Sequence, residues 1–292
     1  MNDARPDWVD IGTGPRLHVL HWGDRAGAPQ PAFLLVHGLA SNARLWDGVG
    51  AALAAAGRYA VAVDLRGHGR SDKPDDGYDM ATVADDVAAL VERLGLSQPV
   101  VVGQSWGANV VVELAARHPG LPAAVVCVDG GTIRLADRFA SFEDCWQVLA
   151  PPSFPAELTR EVLERRMRSG KPQWPDSGIE GALACFEVLN DGTVRPWLSR
   201  ERHRRVLEGL FEHTPAERFE RITVPVLFLP ADSGEVAWTA DKAAAVEAAI
   251  ELLPDGRVRW FSPADHDVHA QYPQEVAALL LELADETGGA RP

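Results

Sequence analysis

Cysteine is scarce in this sequence: Cys127, Cys145 and Cys185 are the only three among 292 residues. An odd count at no metal-like spacing argues against a disulfide framework or a thiolate metal centre and fits free thiols in a reducing compartment. Positive charge is short as well. Lys and Arg number 28 against 42 Asp and Glu, and the formal net charge of −14 should repel nucleic acid and anionic lipid. Long apolar runs are missing: nothing approaches the roughly 18 residues a membrane-spanning helix needs, and the stretch Met1 to Asp7 has no apolar signal core. Internal repeats and low-complexity tracts are absent too. Together these deficits predict a cytoplasmic protein with a small-molecule substrate and no nucleic-acid or membrane partner; a homo-oligomer remains compatible with the sequence.

What is present is the composition of an ordinary globular protein, 46% hydrophobic and 24% charged, long enough for a sizeable core. Short apolar runs at Leu17–Trp22, Ala32–Val36, Tyr59–Val63, Val100–Val102 and Ala124–Val128 predict strands. Ala- and Leu-rich helical stretches at Arg44–Ala56, Met80–Leu94 and Ala108–Arg117 lie between them. This alternation implies a mostly parallel α/β sheet with right-handed crossovers. The rhythm breaks over residues 132–221, where prolines interrupt helical segments and no strand series is evident. It resumes with strands at Val226–Leu229 and Val258–Phe261 and helices at Thr239–Leu252 and Pro273–Ala284; Thr287–Pro292 reads as a frayed tail. Residues 132–221 hold 14 Lys and Arg against 15 Asp and Glu, so nearly all of the acidic excess lies outside them. The expected organisation is a core of residues 1–131 and 222–292 with a helical cap of residues 132–221. Trp146, Trp174 and Trp197 in that cap either line an apolar ligand site or only pack the insertion onto the core.

Gly103-Gln104-Ser105-Trp106-Gly107 follows an apolar strand and opens a helix. GxSxG in that context is the sharp turn that lifts a Ser hydroxyl above a sheet at a helix N-terminus. Such a Ser needs a base. His266 suits that role, standing in a loop after the last strand and before the last helix; His269 is the competitor, more apt to face the pocket rim or cap the helix. At Phe33-Leu-Leu-Val-His37-Gly38-Leu39, the strand end can aim the Leu39 N–H at the same point as the Trp106 N–H, giving two donors for an oxyanion. His37 reads as structural, bonding within its own turn. Asp64-Leu-Arg-Gly-His-Gly-Arg-Ser-Asp-Lys-Pro74 reads as a loop-fixing charge network.

As an ordered set, HG-x7-W, DLRGHGRSDKP, GQSWG and the late DHDVHAQYP resemble the α/β-hydrolase fold family, in the branch with a helical cap after the sixth strand. The likeness covers residues 15–131 and 222–284. It implies a Ser-His-acid triad acting through an acyl-enzyme, with Ser before His in the chain and no metal or organic cofactor. The acid departs from the family's pattern: its usual position, after the strand Val224–Leu229, is Gly234 here. Asp129, directly after the strand Ala124–Val128, is therefore the first candidate, with Asp232 and then Glu235 as alternatives. The expected activity is a serine hydrolase cleaving a carboxylic ester, thioester or lactone with an uncharged, partly apolar acyl group. Alternatives are a C–C bond hydrolase, other chemistry on the same triad, or a non-catalytic ligand receptor.

Overall fold

The computed structural model describes residues 4–12 and 14–288. Its centre is an eight-stranded sheet in the order β1-β2-β4-β3-β5-β6-β9-β10. These strands are β1 (Arg5–Asp10), β2 (Arg16–Trp22), β3 (Phe33–Val36), β4 (Ala60–Val63), β5 (Val100–Gln104), β6 (Ala124–Val128), β9 (Val226–Leu229) and β10 (Gly256–Val258). β2 runs antiparallel to both β1 and β4, and the pairs from β4 to β10 are parallel. The central strands read FLLV, AVAV, VVVGQ, AVVCV and VLFL and are buried along their whole length. Continuous β-branched runs of this kind suit strands covered on both faces.

The covering helices are α1 (Asp47–Ala55), α2 (Met80–Arg93), α3 (Trp106–Arg117), α9 (Val236–Leu252), α10 (Val268–Gln271) and α11 (Pro273–Gly288). Two apolar clusters lie on opposite sides of the sheet. One joins alternate strand residues such as Leu34, Val101 and Val125 to Val83, Leu90 and Leu114 of α2 and α3. The other joins Leu35, Val102 and Val126 to Val49 and Leu53 of α1 and Leu280 of α11. The period-2 alternation of strand side chains produces this split.

The structure differs from the sequence reading in four places. β1 was not expected: its sequence RPDWVD is polar and mostly exposed, and it holds only an edge position where Pro6 is tolerated. The last strand ends at Val258, and Phe261 makes only an isolated bridge to Ala231. α11 runs on to Gly288, so Thr287 is helical, its hydroxyl donating to the Leu283 carbonyl at 3.0 Å; the rest of the expected tail lies outside the described residues. Between β6 and β9, α4 (Phe142–Leu149), α5 (Arg160–Gly170), α6 (Asp176–Leu183), α7 (Arg200–Glu212) and α8 (Ala216–Phe219) are joined by an unexpected hairpin of β7 (Phe186–Val188) and β8 (Val194–Pro196). Ser141, Thr159 and Ser199 cap α4, α5 and α7 by accepting backbone N–H bonds.

Candidate active site

The β5–α3 junction fixes Ser105. It sits at the N-cap of α3 with φ +52° and ψ −119°, a left-handed conformation that only over-determined surroundings retain in a non-glycine residue. Its N–H donates to the Val128 carbonyl at 2.9 Å, tying the elbow to the end of β6. The flanking glycines are required sterically: a Cβ at Gly103 would collide with the Gly107 carbonyl, and one at Gly107 with the His37 carbonyl. Trp106 is the first residue of α3, so its N–H has no intrahelical partner and the helix dipole favours negative charge there. The Leu39 N–H makes no hydrogen bond among the described residues.

The turn carrying Leu39 is braced from below. His37 Nδ1 donates to the Gly38 carbonyl at 2.7 Å, and its Nε2 accepts from the Leu65 N–H at 3.0 Å. Asp64, fully buried, accepts from the Ala43 and Arg70 amides and from His18 Nδ1. Burial would raise its carboxyl, but the His18 hydrogen bond, with further help from the Arg70 amide, outweighs that and holds it down to about 2. DLRGHGRSDKP is thus a bracing network around the Leu39 turn.

His266 and Asp129 are brought together. His266 Nδ1 lies 2.5 Å from Asp129 Oδ2. Bonded at Nδ1, the ring leaves Nε2 as the nitrogen free to take a proton. Desolvation lowers the His266 pKa, yet the hydrogen bond and charge of Asp129 prevail and the net shift is upward. The Asp129 side chain is 4% exposed whereas that of His266 is 54% exposed, so the acid is shielded while water still reaches the imidazole. Asp129 itself has φ +43°. Burial pushes its carboxyl up, but the His266 hydrogen bond and the nearby Lys242 cation bring it below the ordinary carboxylate range.

The other candidates stand apart from this pair. Asp232 Oδ1 accepts from the Gly234 N–H and Thr239 Oγ1, and its Oδ2 from Ser262 Oγ, closing the loop ahead of α9. Glu235 is an exposed residue at the N-cap of α9 and makes no capping bond there. His269 is fully buried, its ring 4.1 Å from that of Trp46, and neither ring nitrogen has a partner. It occupies the core rather than the pocket rim, and burial lowers its pKa to about 3. Trp146 is half-buried with its ring 6.1 Å from that of His203 and under the Arg200 and Arg204 guanidinium groups. Trp197 lies under the Lys73 ammonium at 5.1 Å. Trp174 is buried, and its indole N–H donates to Asp265 Oδ2 at 2.7 Å, so it reaches the residue next to His266.

Three contacts around the His266–Asp129 pair escaped the sequence reading. Gln104 Nε2 donates to the His266 carbonyl at 3.3 Å, linking the elbow to the histidine loop. Lys171 pairs with Asp265 at 3.5 Å and lies 3.9 Å from the Trp174 ring. Lys242 donates to Asp129 Oδ1 at 2.5 Å; its signal in the sequence is that it is the one base in the otherwise acidic, Ala-rich α9. Among the described residues no group of three or more His, Cys, Asp or Glu side chains is placed to hold a metal ion. No helix among them is long and apolar enough to cross a membrane.

Comparison with known proteins accords with this geometry. The sequence pattern of the alpha/beta hydrolase fold matches residues 31–177. The 2-(acetamidomethylene)succinate hydrolase of Mesorhizobium japonicum is 30% identical over 259 residues, spanning 87% of this chain and 88% of its own. A bifunctional esterase/perhydrolase of Acinetobacter calcoaceticus is 42% identical over 239 residues, spanning 78% of this chain and 82% of its own. A crystal structure of (E)-2-(acetamidomethylene)succinate hydrolase superposes with a TM-score of 0.80 at 28% identity, covering 97% of this chain and 100% of the other. With a parallel sheet, a strained serine elbow and relatives of this extent, the chain belongs to the α/β-hydrolase fold family and is an enzyme of that family.

Proposed function

We propose that the protein is a serine hydrolase in which Ser105, His266 and Asp129 form the triad and the Leu39 and Trp106 N–H groups form the oxyanion hole. The observation that carries this reading is the 2.5 Å contact between Asp129 and His266 in the loop tied to the Ser105 elbow by Gln104. His266 Nε2 takes the Ser105 proton as Oγ attacks the substrate carbonyl carbon. The carbonyl π electrons move to oxygen, where the two amides hold the charge. Collapse of the tetrahedral intermediate breaks the bond to the leaving group, which receives the proton from His266. Water, deprotonated by the same ring, then releases the acid and restores Ser105. Asp129 remains ionised throughout, holding the ring in the productive tautomer.

The substrate class is a carboxylic ester, thioester or lactone with an uncharged, partly apolar acyl group. Two Arg side chains are buried among the described residues, and both are already paired, Arg58 with Asp285 and Arg66 with Asp86. Neither is left to receive a substrate carboxylate. Residues 132–221 act as the cap in this reading, with Trp146, Trp174 and Trp197 shaping acyl choice. A second reading, perhydrolysis with hydrogen peroxide replacing water in deacylation, is favoured by the 42% identity to an esterase/perhydrolase. The test is a fluorophosphonate probe with the adduct mapped by mass spectrometry, beside a panel of chromogenic esters, thioesters and lactones of graded acyl length. Labelling of Ser105 and turnover of neutral acyl groups are expected. Labelling elsewhere, or none in folded protein, overturns the hydrolase reading; a marked preference for anionic acyl groups overturns the substrate class.

A further inference from the structure

Lys242 is placed where no residue of the reaction scheme requires it. Its ammonium donates to Asp129 Oδ1 at 2.5 Å and to the Ala231 carbonyl at 2.7 Å. The Ala231 N–H donates to the same Oδ1 at 2.9 Å. The two oxygens of Asp129 are therefore divided: Oδ2 serves His266, and Oδ1 is held by one amide and one cation. Lys242 thereby bridges the ends of β6 and β9 from α9, a helix whose other charged residues, Asp241, Glu247 and Glu251, are all acidic. Its side chain is 25% exposed, so the ion pair is mostly, though not fully, shielded from water.

We propose that Lys242 is a positioning residue that fixes the Asp129 carboxylate and limits how basic that carboxylate makes His266; the inference rests on the triad reading above. An imidazole acting as general base must be unprotonated, and so neutral, at working pH. A buried carboxylate acting alone on an imidazole favours the imidazolium, which cannot accept the serine proton. A second cation sharing that carboxylate draws the balance back. The charged groups facing His266 are Asp129, Asp267 and Lys242, the first two favouring protonation and Lys242 opposing it. Asp232, on the loop after β9, also feels Lys242. Lys242 also steadies a residue held at φ +43°, a conformation costly for a side chain other than Gly.

The test compares Lys242→Gln, Lys242→Met and Lys242→Arg by kcat/KM against pH. A parallel NMR titration follows the His266 ring in Ser105→Ala and Ser105→Ala/Lys242→Gln proteins. In the Gln and Met variants the acid limb is expected to move up by about half a unit to one unit. The NMR midpoint should move in the same direction. Plateau kcat should fall more than KM changes, and Lys242→Arg should keep the wild-type limb. Should Lys242→Met fail to fold, the Gln and Arg pair decides. Superimposable pH profiles and NMR midpoints overturn the proposal. The NMR arm needs no turnover, so an absent shift is distinguishable from failure of the hydrolase reading, which shows as Ser105→Ala proteins matching wild-type turnover.

Discussion

The C-terminal ends of the central strands β5 and β6, which carry Ser105 and Asp129, and the segment between β6 and β9 are held by different forces. At those strand ends, positions are set by backbone geometry: β5 and β6 are completely buried, and two non-glycine residues are kept at positive φ by the hydrogen bonds around them. The segment shares a small apolar cluster with Leu45 and Ala270, in which Leu158, Leu163, Trp174, Ile179, Leu183 and Val194 take part. It sends Val206, Leu207, Leu210 and Phe219 into the larger core cluster, and carries exposed ion pairs such as Arg168 with Glu164 and Asp176 on its outer side. Exposed pairs contribute about 0 to 1 kcal/mol each, whereas burying a Leu side chain contributes about 2 kcal/mol or more. In the proposed mechanism the reacting groups stand on the region fixed by backbone geometry, while the outer ion pairs of the segment can change at little cost in stability.

The comparison is broken most severely at the base. His266→Ala should lower kcat by about a million-fold, the scale for loss of a triad base, with little loss of stability. His269→Ala should do the reverse, keeping most activity while lowering the melting temperature, because it empties a core site against Trp46. Next in size, Asp129→Asn should cost about ten thousand-fold in kcat by permitting the wrong tautomer, while Asp232→Asn costs far less and acts through its loop. Steady-state rates with folding checked by circular dichroism decide both pairs.

The pH response sharpens the same contrast. In the proposed mechanism His266 must be neutral, and Asp129 raises its pKa above the ordinary histidine value, so kcat/KM should fall about tenfold per unit as pH drops through that raised value. Stability behaves differently because a raised folded pKa favours the folded state below the unfolded value, and that contribution is lost as pH rises through the folded one. Buried His269 has the opposite sign: its depressed pKa makes stability fall as pH drops from about 6.5 toward 3. His269→Gln should therefore unfold over a less steep acid range, measured by denaturant titration at several pH values.

The smallest effects belong to the segment. Replacing Trp146 or Trp197 by Ala is expected to change relative kcat/KM across acyl groups by about tenfold, a larger effect than on the melting temperature. Trp174→Phe should lower kcat modestly for all acyl groups alike, since the lost hydrogen bond is to Asp265 beside His266. An unchanged ranking in the first two variants would make those rings packing residues.

How legible each region was follows from the same physics. β3 through β6 and β9 were read almost to the residue because both faces are covered and nearly every position is apolar; β5 was cut short at Val102 because its last two residues are Gly103 and the polar Gln104. β1 was missed because it is polar and mostly exposed, and the hairpin β7–β8 because its strands are only three residues long; each pairs with one neighbour, so no burial pattern marks them. The elbow was legible since its turn admits only particular residues at fixed spacing. The Lys242 contact was not, because a Lys in a helix looks the same whether it faces water or a carboxylate brought from 113 residues away.

The most direct test of the account is to trap the acyl-enzyme. Wild-type protein and Ser105→Ala should be mixed with a slow chromogenic ester, quenched in acid within the first turnover, digested and mapped by mass spectrometry. The account requires an acyl mass increment on Ser105 and a burst of leaving group stoichiometric with enzyme, both absent in Ser105→Ala. Hydrolysis with no burst and no adduct, unchanged in Ser105→Ala, would contradict it.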